Sequence, residues 1–244
     1  MKILGIIPAR FASSRFPGKP LVNIQGKSMI RRVYEQAVKA SKLNDVIVAT
    51  DDIRIATEVQ AFGGKYTMTR SDHISGTDRC AEVINTMRGF NAVINIQGDE
   101  PYIDPAQIDL VASCFEDQKV KLATLVKKIT SNADLFNENI PKVVVNKNLE
   151  ANYFSRQTIP FLRNIVKEEW LLHGDFYKHI GIYGYDVETL KEITQLKPSQ
   201  LETAERLEQL RWIENGYSIH TRITLFETIA IDTPEDLEKI NSTL

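Results

Sequence analysis

Cysteine is almost missing from this chain: two residues in 244, Cys80 and Cys114, without C-x-x-C spacing. Neither a zinc site nor a disulfide framework is indicated, and both thiols read as reduced and buried. Long apolar runs are missing as well. The opening run Ile3-Leu4-Gly5-Ile6-Ile7 stops at Pro8, too short for a membrane span or a signal-peptide core, so no membrane insertion is expected and the compartment reads as cytoplasmic. Nor is there an excess of one charge. With 30 basic and 32 acidic residues and a net charge of -2, binding of nucleic acid through bulk positive charge is not expected. Any anion site must be local. The chain also lacks G-x-x-x-x-G-K-[ST] and G-x-G-x-x-G, so readings as a P-loop ATPase or a dinucleotide-dependent dehydrogenase lose ground.

What is present is an α/β rhythm in a chain long enough for a sizeable core. Short β-branched runs at Ile3–Ile7, Val46–Thr50, Lys65–Met68 and Ala92–Gln97 alternate with helical patterns at Met29–Ser41, Ile53–Phe62 and Thr77–Met87. Another helix is expected from Asp104-Pro105. After Leu122 the rhythm loosens into strand-like segments at 123–129, 142–146 and 179–185, with polar loops at 132–141 and 163–175 between them. A single domain over 1–244 with an inserted β-rich lobe near 123–186 is the expected organisation. Helix at 204–215, strand at 217–225 and helix at 233–241 close the chain.

Open parallel sheets place their ligands beyond the carboxyl ends of the strands. The segment 7–21 leaves the first strand as a small-residue loop carrying Arg10, Arg15 and Lys19, which suits a polyanion. Asp99 follows the strand at 92–97, and Asp232 follows the apolar run Ile229-Ala230-Ile231. A hard cation such as Mg²⁺ is commonly held by one or two carboxylates plus substrate phosphates, and this pair fits that need. Each also has a plain alternative. Gly98-Asp99-Glu100-Pro101 reads equally as a turn, and Thr233-Pro234-Glu235-Asp236 is a helix start with a capping box, which leaves Asp232 over for another task. His73 and His179 read as ordinary structural histidines as readily as ligands, while His173 and His220 read as surface residues. Together the anion loop and the carboxylates suit a magnesium nucleoside triphosphate and nucleotidyl transfer.

Eight ordered segments carry a further signal: IPARFASSRFPGKPL at 7–21, ATDD at 49–52, MTRSDHISGTDR at 68–79, NIQGDEP at 95–101, YFSRQTIP at 153–160, HIGIYGY at 179–185, LEQLR at 207–211 and IDTPEDLE at 231–238. Their order resembles the cytidylyltransferases that activate eight- and nine-carbon keto-acid sugars, nearest to the CMP-Kdo synthetase family. Ser14, Phe16 and Ala230 depart from the expected Thr, Leu and Gly.

The resemblance implies a glycosyltransferase-A-like, Rossmann-like, mainly parallel sheet flanked by helices, with the inserted lobe forming a homodimer and contributing to the sugar site. It implies CTP and Kdo (3-deoxy-D-manno-octulosonate) as substrates, Mg²⁺ as cofactor, CMP-Kdo and pyrophosphate as products, and a place in lipopolysaccharide biosynthesis. By motif, Arg10 and Lys19 would bind the triphosphate with Arg15 beside them, and Ala9 would seat the cytosine. Arg70, Ser75, Gly76 and Thr77 would lie at base and ribose, and Asp99 and Asp232 would hold magnesium. Gln97, Arg156, His179, Tyr183, Glu208 and Gln209 would line the sugar pocket, with Arg156 meeting the sugar carboxylate and Gln97 also touching the nucleotide. An 8-amino-Kdo cytidylyltransferase, a CMP-sialate synthetase and a non-catalytic nucleotide sensor are the competing readings.

Overall fold

The computed structural model describes residues 1–12, 16–227 and 229–243, the last five by backbone alone. Its first half is a run of parallel strands with crossover helices: β1 (Ile3–Ala9), a small hairpin of β2 (Asn23–Ile24) and β3 (Lys27–Ser28), α1 (Met29–Ala37), β4 (Asp45–Thr50), α2 (Ile53–Ala61), β5 (Tyr66–Met68), α3 (Gly76–Thr86), β6 (Ala92–Asn95) and α4 (Pro105–Ser113). The second half contains β7 (Leu122–Lys128), α5 (Asn132–Leu135), β8 (Lys142–Val145), β9 (Ala151–Ser155), α6 (Trp170–His173), β10 (Tyr177–Asp186), α7 (Val187–Ile193), α8 (Gln200–Glu205), α9 (Gln209–Glu214), β11 (Ile219–Ile223) and α10 (Pro234–Thr243).

Apart from the β2–β3 hairpin, these strands form one mixed sheet in the order β11-β7-β10-β6-β1-β4-β5, with β8 pairing β10 and β9 pairing β8. β1 runs parallel to both β4 and β6, whereas β10 enters antiparallel between β6 and β7. The central strands are apolar on both sides because helices cover both faces, as parallel sheets require. Ile3, Ile7, Val48 and Ile94 point to the layer of α1, α2 and α4. Leu4, Ile6, Ile47 and Val93 point the other way, toward α3, α7 and α9. Each such side chain, wholly removed from water, contributes about 1.5–3 kcal/mol.

The segment 123–186 has two parts. β7 and β10 lie within the main sheet, while Ile129, Leu135, Trp170 and Phe176 form a small apolar cluster of their own. Short helices α5 and α6 occupy the stretches expected as polar loops. Ser131 explains the first of these, since its side chain accepts from the Asp134 N–H as a helix cap.

Three other differences bear on the site. The helix expected over 204–215 is split into α8 and α9, with Arg206 between them in the left-handed region at φ 53°. Segment 229–231 is not a strand, so Asp232 does not extend from the end of a parallel strand. Its position is set instead by the Ile231 N–H, which donates to the Asp99 carbonyl at 2.9 Å. Finally, β10 is irregular: Ile180 faces Leu125 and Tyr183 faces Thr124, so residues 181 and 182 bulge out. The Thr124 hydroxyl faces the carbonyls of Ile180 and Ile182 at 3.2 and 2.8 Å, which satisfies backbone that the bulge withdraws from the ladder.

Both cysteines are free and buried as expected. Among the described residues no helix is long and apolar enough to cross a membrane.

Candidate active site

The carboxyl ends of β1 and β6 open onto a cleft of about 240 Å³. Its rim is built by the loop after β1. Gly18 stands in the left-handed region at φ 72° and opens a single 3-10 turn at Lys19–Leu21. Its N–H donates to the Phe11 carbonyl at 3.0 Å and closes the loop. A Cβ at this position would also sit 3.2 Å from the Phe11 ring, so glycine is favoured on two grounds. Phe11 is covered in turn by the Arg54 guanidinium, 3.3 Å from the ring centroid. The closed turn carries Lys19 into the cleft.

There the Lys19 ammonium lies between two carboxylates, donating to Asp99 Oδ2 at 2.7 Å and Asp232 Oδ1 at 3.0 Å. Asp99 reaches this point because Gly98 packs directly on β1, where an added Cβ would be only 2.8 Å from the Pro8 carbonyl oxygen. Asp232 is presented by the start of α10, where the Asp236 carboxylate accepts from the N–H groups of Asp232 and Thr233 and Thr233 caps Asp236 in return. The capping residues read from the sequence therefore hold the segment while the Asp232 side chain faces Lys19. Next in sequence, Glu100 is buried, and burial together with Asp99 pushes its carboxyl up to about 8.

Opposite Lys19 stands the start of α3, a helix of 11 residues capped by Ser75 with Asp78 completing a capping box. Ser75 and Gly76 line the cleft. The unpaired N–H groups of such a start favour an anion. Ala9, Arg10, Gln97, Asp99 and Asp232 line the same space. The sequence reading missed Arg79. It lines the cleft while 3 % exposed, held by Thr69 Oγ1 and by Asp51 at 3.6 Å. An arginine set among the buried α3 positions Cys80, Ala81, Val83 and Ile84 is the signal that could have revealed it.

Thr77 and Glu208 form a second group behind this wall. Thr77 Oγ1 donates to Glu208 Oε2 at 2.9 Å and approaches the Tyr185 hydroxyl at 3.3 Å. Burial raises the Glu208 carboxyl above its ordinary value, against the opposing pull of hydrogen bonds from Ser75 and Thr77. Burial likewise pushes the Tyr183 phenol up, with Tyr185 and Glu208 adding to the effect. Three buried polar atoms in this region have no protein partner: Asn95 Oδ1, Tyr183 Oη and Gln209 Nε2. Native interiors rarely leave such groups unmet. Gln97 links the two groups, since it lines the cleft while its amide donates to the bulge carbonyl of Gly181 at 2.9 Å.

His179 and Tyr183 share one face of β10, and the bulge draws them together, opposite Val126 and Thr124, with their rings 5.1 Å apart. His179 meets Phe154 edge-on and faces Thr124 Oγ1 at 3.0 Å, and burial pushes its imidazole down to about 3. The ring is therefore neutral in the folded protein near pH 7. Because the unfolded value is about 6.5, His179 costs no stability above that pH, and stability is lost as pH falls from there toward the folded value. At pH 5 the loss is about 1–2 kcal/mol. Urea unfolding of the wild type and His179→Phe at pH 7.5 and 5.0 checks this: the wild type is expected to lose more stability on acidification than the variant, and equal losses would refute it.

Thr77, His179, Tyr183, Glu208 and Gln209 are not among the residues that line the cleft, and two further expected residues stand apart from it. Arg70 is exposed and paired with Asp72 at 2.9 Å. The Arg156 guanidinium donates to the carbonyls of Glu205, Glu138 and Arg206 at 2.7, 3.2 and 3.4 Å. It lines a separate cavity with Phe136, Phe161 and Trp170. Arg15 lies outside the described residues.

A mixed α/β sheet whose strand ends open onto a cleft lined by Arg10, Lys19, Asp99 and Asp232 is the arrangement of a nucleotide-handling transferase. A family profile described as cytidylyltransferase matches residues 4–229. The 3-deoxy-manno-octulosonate cytidylyltransferase of Parabacteroides distasonis is 57% identical over 98% of this chain and 96% of its own length. That of Bacteroides thetaiotaomicron is 58% identical over the same shares. A solved structure described as CMP:2-keto-3-deoxy-manno-octonic acid synthetase complexed with CTP superposes with a TM-score of 0.93 and 43% identity, covering 100% of this chain and 98% of that one. The chain belongs to the cytidylyltransferase family, among the 3-deoxy-manno-octulosonate cytidylyltransferases.

Proposed function

We propose that this protein activates Kdo with CTP, giving CMP-Kdo and pyrophosphate for lipopolysaccharide assembly in the cytoplasm. The observation that carries the reading is the convergence of Arg10, Lys19, Asp99 and Asp232 on one cleft facing the start of α3. Arg10 and Lys19 would hold the triphosphate, the Ser75–Gly76 helix start would lie at the nucleoside with Thr77 behind it, and Ala9 would seat the base. The anomeric 2-hydroxyl of Kdo would attack the α-phosphorus in line and expel pyrophosphate, with positioning and charge neutralisation supplying most of the acceleration.

The donor set fits Mg²⁺: two carboxylates from distant parts of the chain meet at a point that already accepts a cation, the Lys19 ammonium. When bound there, the ion would neutralise charge on the α-phosphate and make the sugar hydroxyl easier to deprotonate. Gln97, His179, Tyr183, Glu208 and Gln209 would surround the sugar. Arg156, the proposed partner of its carboxylate, is braced on the α8–α9 turn that precedes Glu208. Neutral His179 would orient the sugar as a hydrogen-bonding group. The reading includes a homodimer formed through the 123–186 lobe, supported by the exposed Phe161, Val166 and Leu172 there.

Pyrophosphate release with CTP and Mg²⁺ in the presence of Kdo, 8-amino-Kdo or sialate tests the reading directly. Kdo is expected to give stoichiometric release, and UTP to react at least about 100-fold more slowly, because a site built to hydrogen-bond one base leaves polar groups unpaired with another. CTP binding without release for any of the sugars would indicate a sensor instead.

A further inference from the structure

Lys19 has more to do than bind phosphate. Its ammonium spans the gap between Asp99 and Asp232, at 2.7 and 3.0 Å. Its side chain is 15 % exposed, and the carboxylates it joins lie 80 and 213 residues away in sequence. Two facing carboxylates repel each other unless a cation stands between them, and here the chain supplies that cation itself. Among the described residues there is no group of three or more His, Cys, Asp or Glu side chains arranged to hold a metal ion. Mg²⁺ requires near-octahedral oxygen coordination and releases water reluctantly. The carboxylate pair alone can therefore offer only part of a shell.

Resting on the cytidylyltransferase reading, we propose that Lys19 is an electrostatic place-holder that keeps the metal site closed until nucleotide arrives. A divalent ion entering alone must break two charge-assisted hydrogen bonds and leave the ammonium without an anion. CTP removes that penalty, because its phosphates give the Lys19 ammonium a new partner and complete the ion's oxygen shell. The flexible four-carbon stem, anchored at the Gly18 turn, allows the ammonium to change partners without backbone movement. Metal and nucleotide therefore bind as a mutually dependent pair, and each raises the affinity of the other by the same factor.

The test is Mn²⁺ binding without nucleotide, read from the electron paramagnetic resonance signal of free Mn²⁺. It compares the wild type, Lys19→Met, Lys19→Gln and the double variant Lys19→Met/Asp99→Asn. The wild type is expected to bind Mn²⁺ weakly. Either single substitution is expected to tighten binding at least about tenfold, equivalent to about 1.4 kcal/mol, because the entering ion no longer has to displace the ammonium from its charge-assisted hydrogen bonds. Adding Asp99→Asn should abolish the gain. Wild-type binding as tight as that of both single variants would overturn the place-holder role, as would a gain that survives in the double variant. Pyrophosphate release by the wild type with CTP, Mn²⁺ and Kdo distinguishes the two levels of failure: if release proceeds while the Mn²⁺ result is negative, only the place-holder role falls. Absent release refutes the underlying reading.

Discussion

Asp99→Asn is expected to lower kcat by at least about 10²-fold while leaving the fold intact. Asparagine preserves the shape of the side chain, and its oxygen can still accept from Lys19, which retains Asp232 as a second partner. The charge is what is lost. In this cleft the carboxylate would help hold a divalent ion against phosphate oxygens whose charge redistributes as the α-phosphorus is attacked. Groups preorganised for such charge are each worth about 10²–10³ in rate. At saturating Mg²⁺, which offsets the weakened metal coupling, the effect should fall mainly on kcat rather than on KM for CTP, because Arg10, the turn at Gly18 and the start of α3 remain to bind the nucleotide. Thermal unfolding close to that of the wild type, combined with the kcat loss, would support the assignment. Near-normal turnover at saturating Mg²⁺ would sink it.

Features that depend on neighbours in sequence were the most legible. The loop at 7–21 could be read because strand, small residues and cations are adjacent, and the strand ending before Asp99 because β6 is buried throughout and apolar at Ala92, Val93 and Ile94. The capping box after Asp232 was readable for the same reason. Features imposed by distant partners were hidden. Apolar residues 229–231 look like a strand, yet one hydrogen bond from Ile231 to the Asp99 carbonyl fixes the segment without any ladder. The continuous helix pattern over 204–215 does not reveal that Arg156, about 50 residues earlier, captures the carbonyls of Glu205 and Arg206 where the chain breaks between α8 and α9. The motif HIGIYGY marks residues 179–185, but only the pairing of β10 with β7 shows that a bulge draws His179 and Tyr183 close together. Arg79 escaped for a different reason: its neighbours make it look like part of a core-facing helix, and only its exposure to the cleft gives it another role.

Gly98→Ala carries the second large effect, and it isolates geometry from charge. The substitution adds one methyl group and changes no ionisable residue. That methyl would stand 2.8 Å from the Pro8 carbonyl oxygen, a backbone atom of the segment where β1 pairs with β4 and cannot easily retreat. The chain after β6 must then move away from β1. Asp99 is the next residue and moves with it, while Asp232 follows through the bond from Ile231 to the Asp99 carbonyl. Both carboxylates would shift relative to Arg10 and the start of α3. A displacement of about 1 Å in a catalytic group costs about 10² in rate, and overpacking of this kind costs about 1–3 kcal/mol in stability. The expected result is a folded protein with a lower melting temperature and kcat reduced about 10²-fold, although every charged group is retained. Unchanged kcat and melting temperature would mean that the close approach of Gly98 to β1 does not set the position of Asp99.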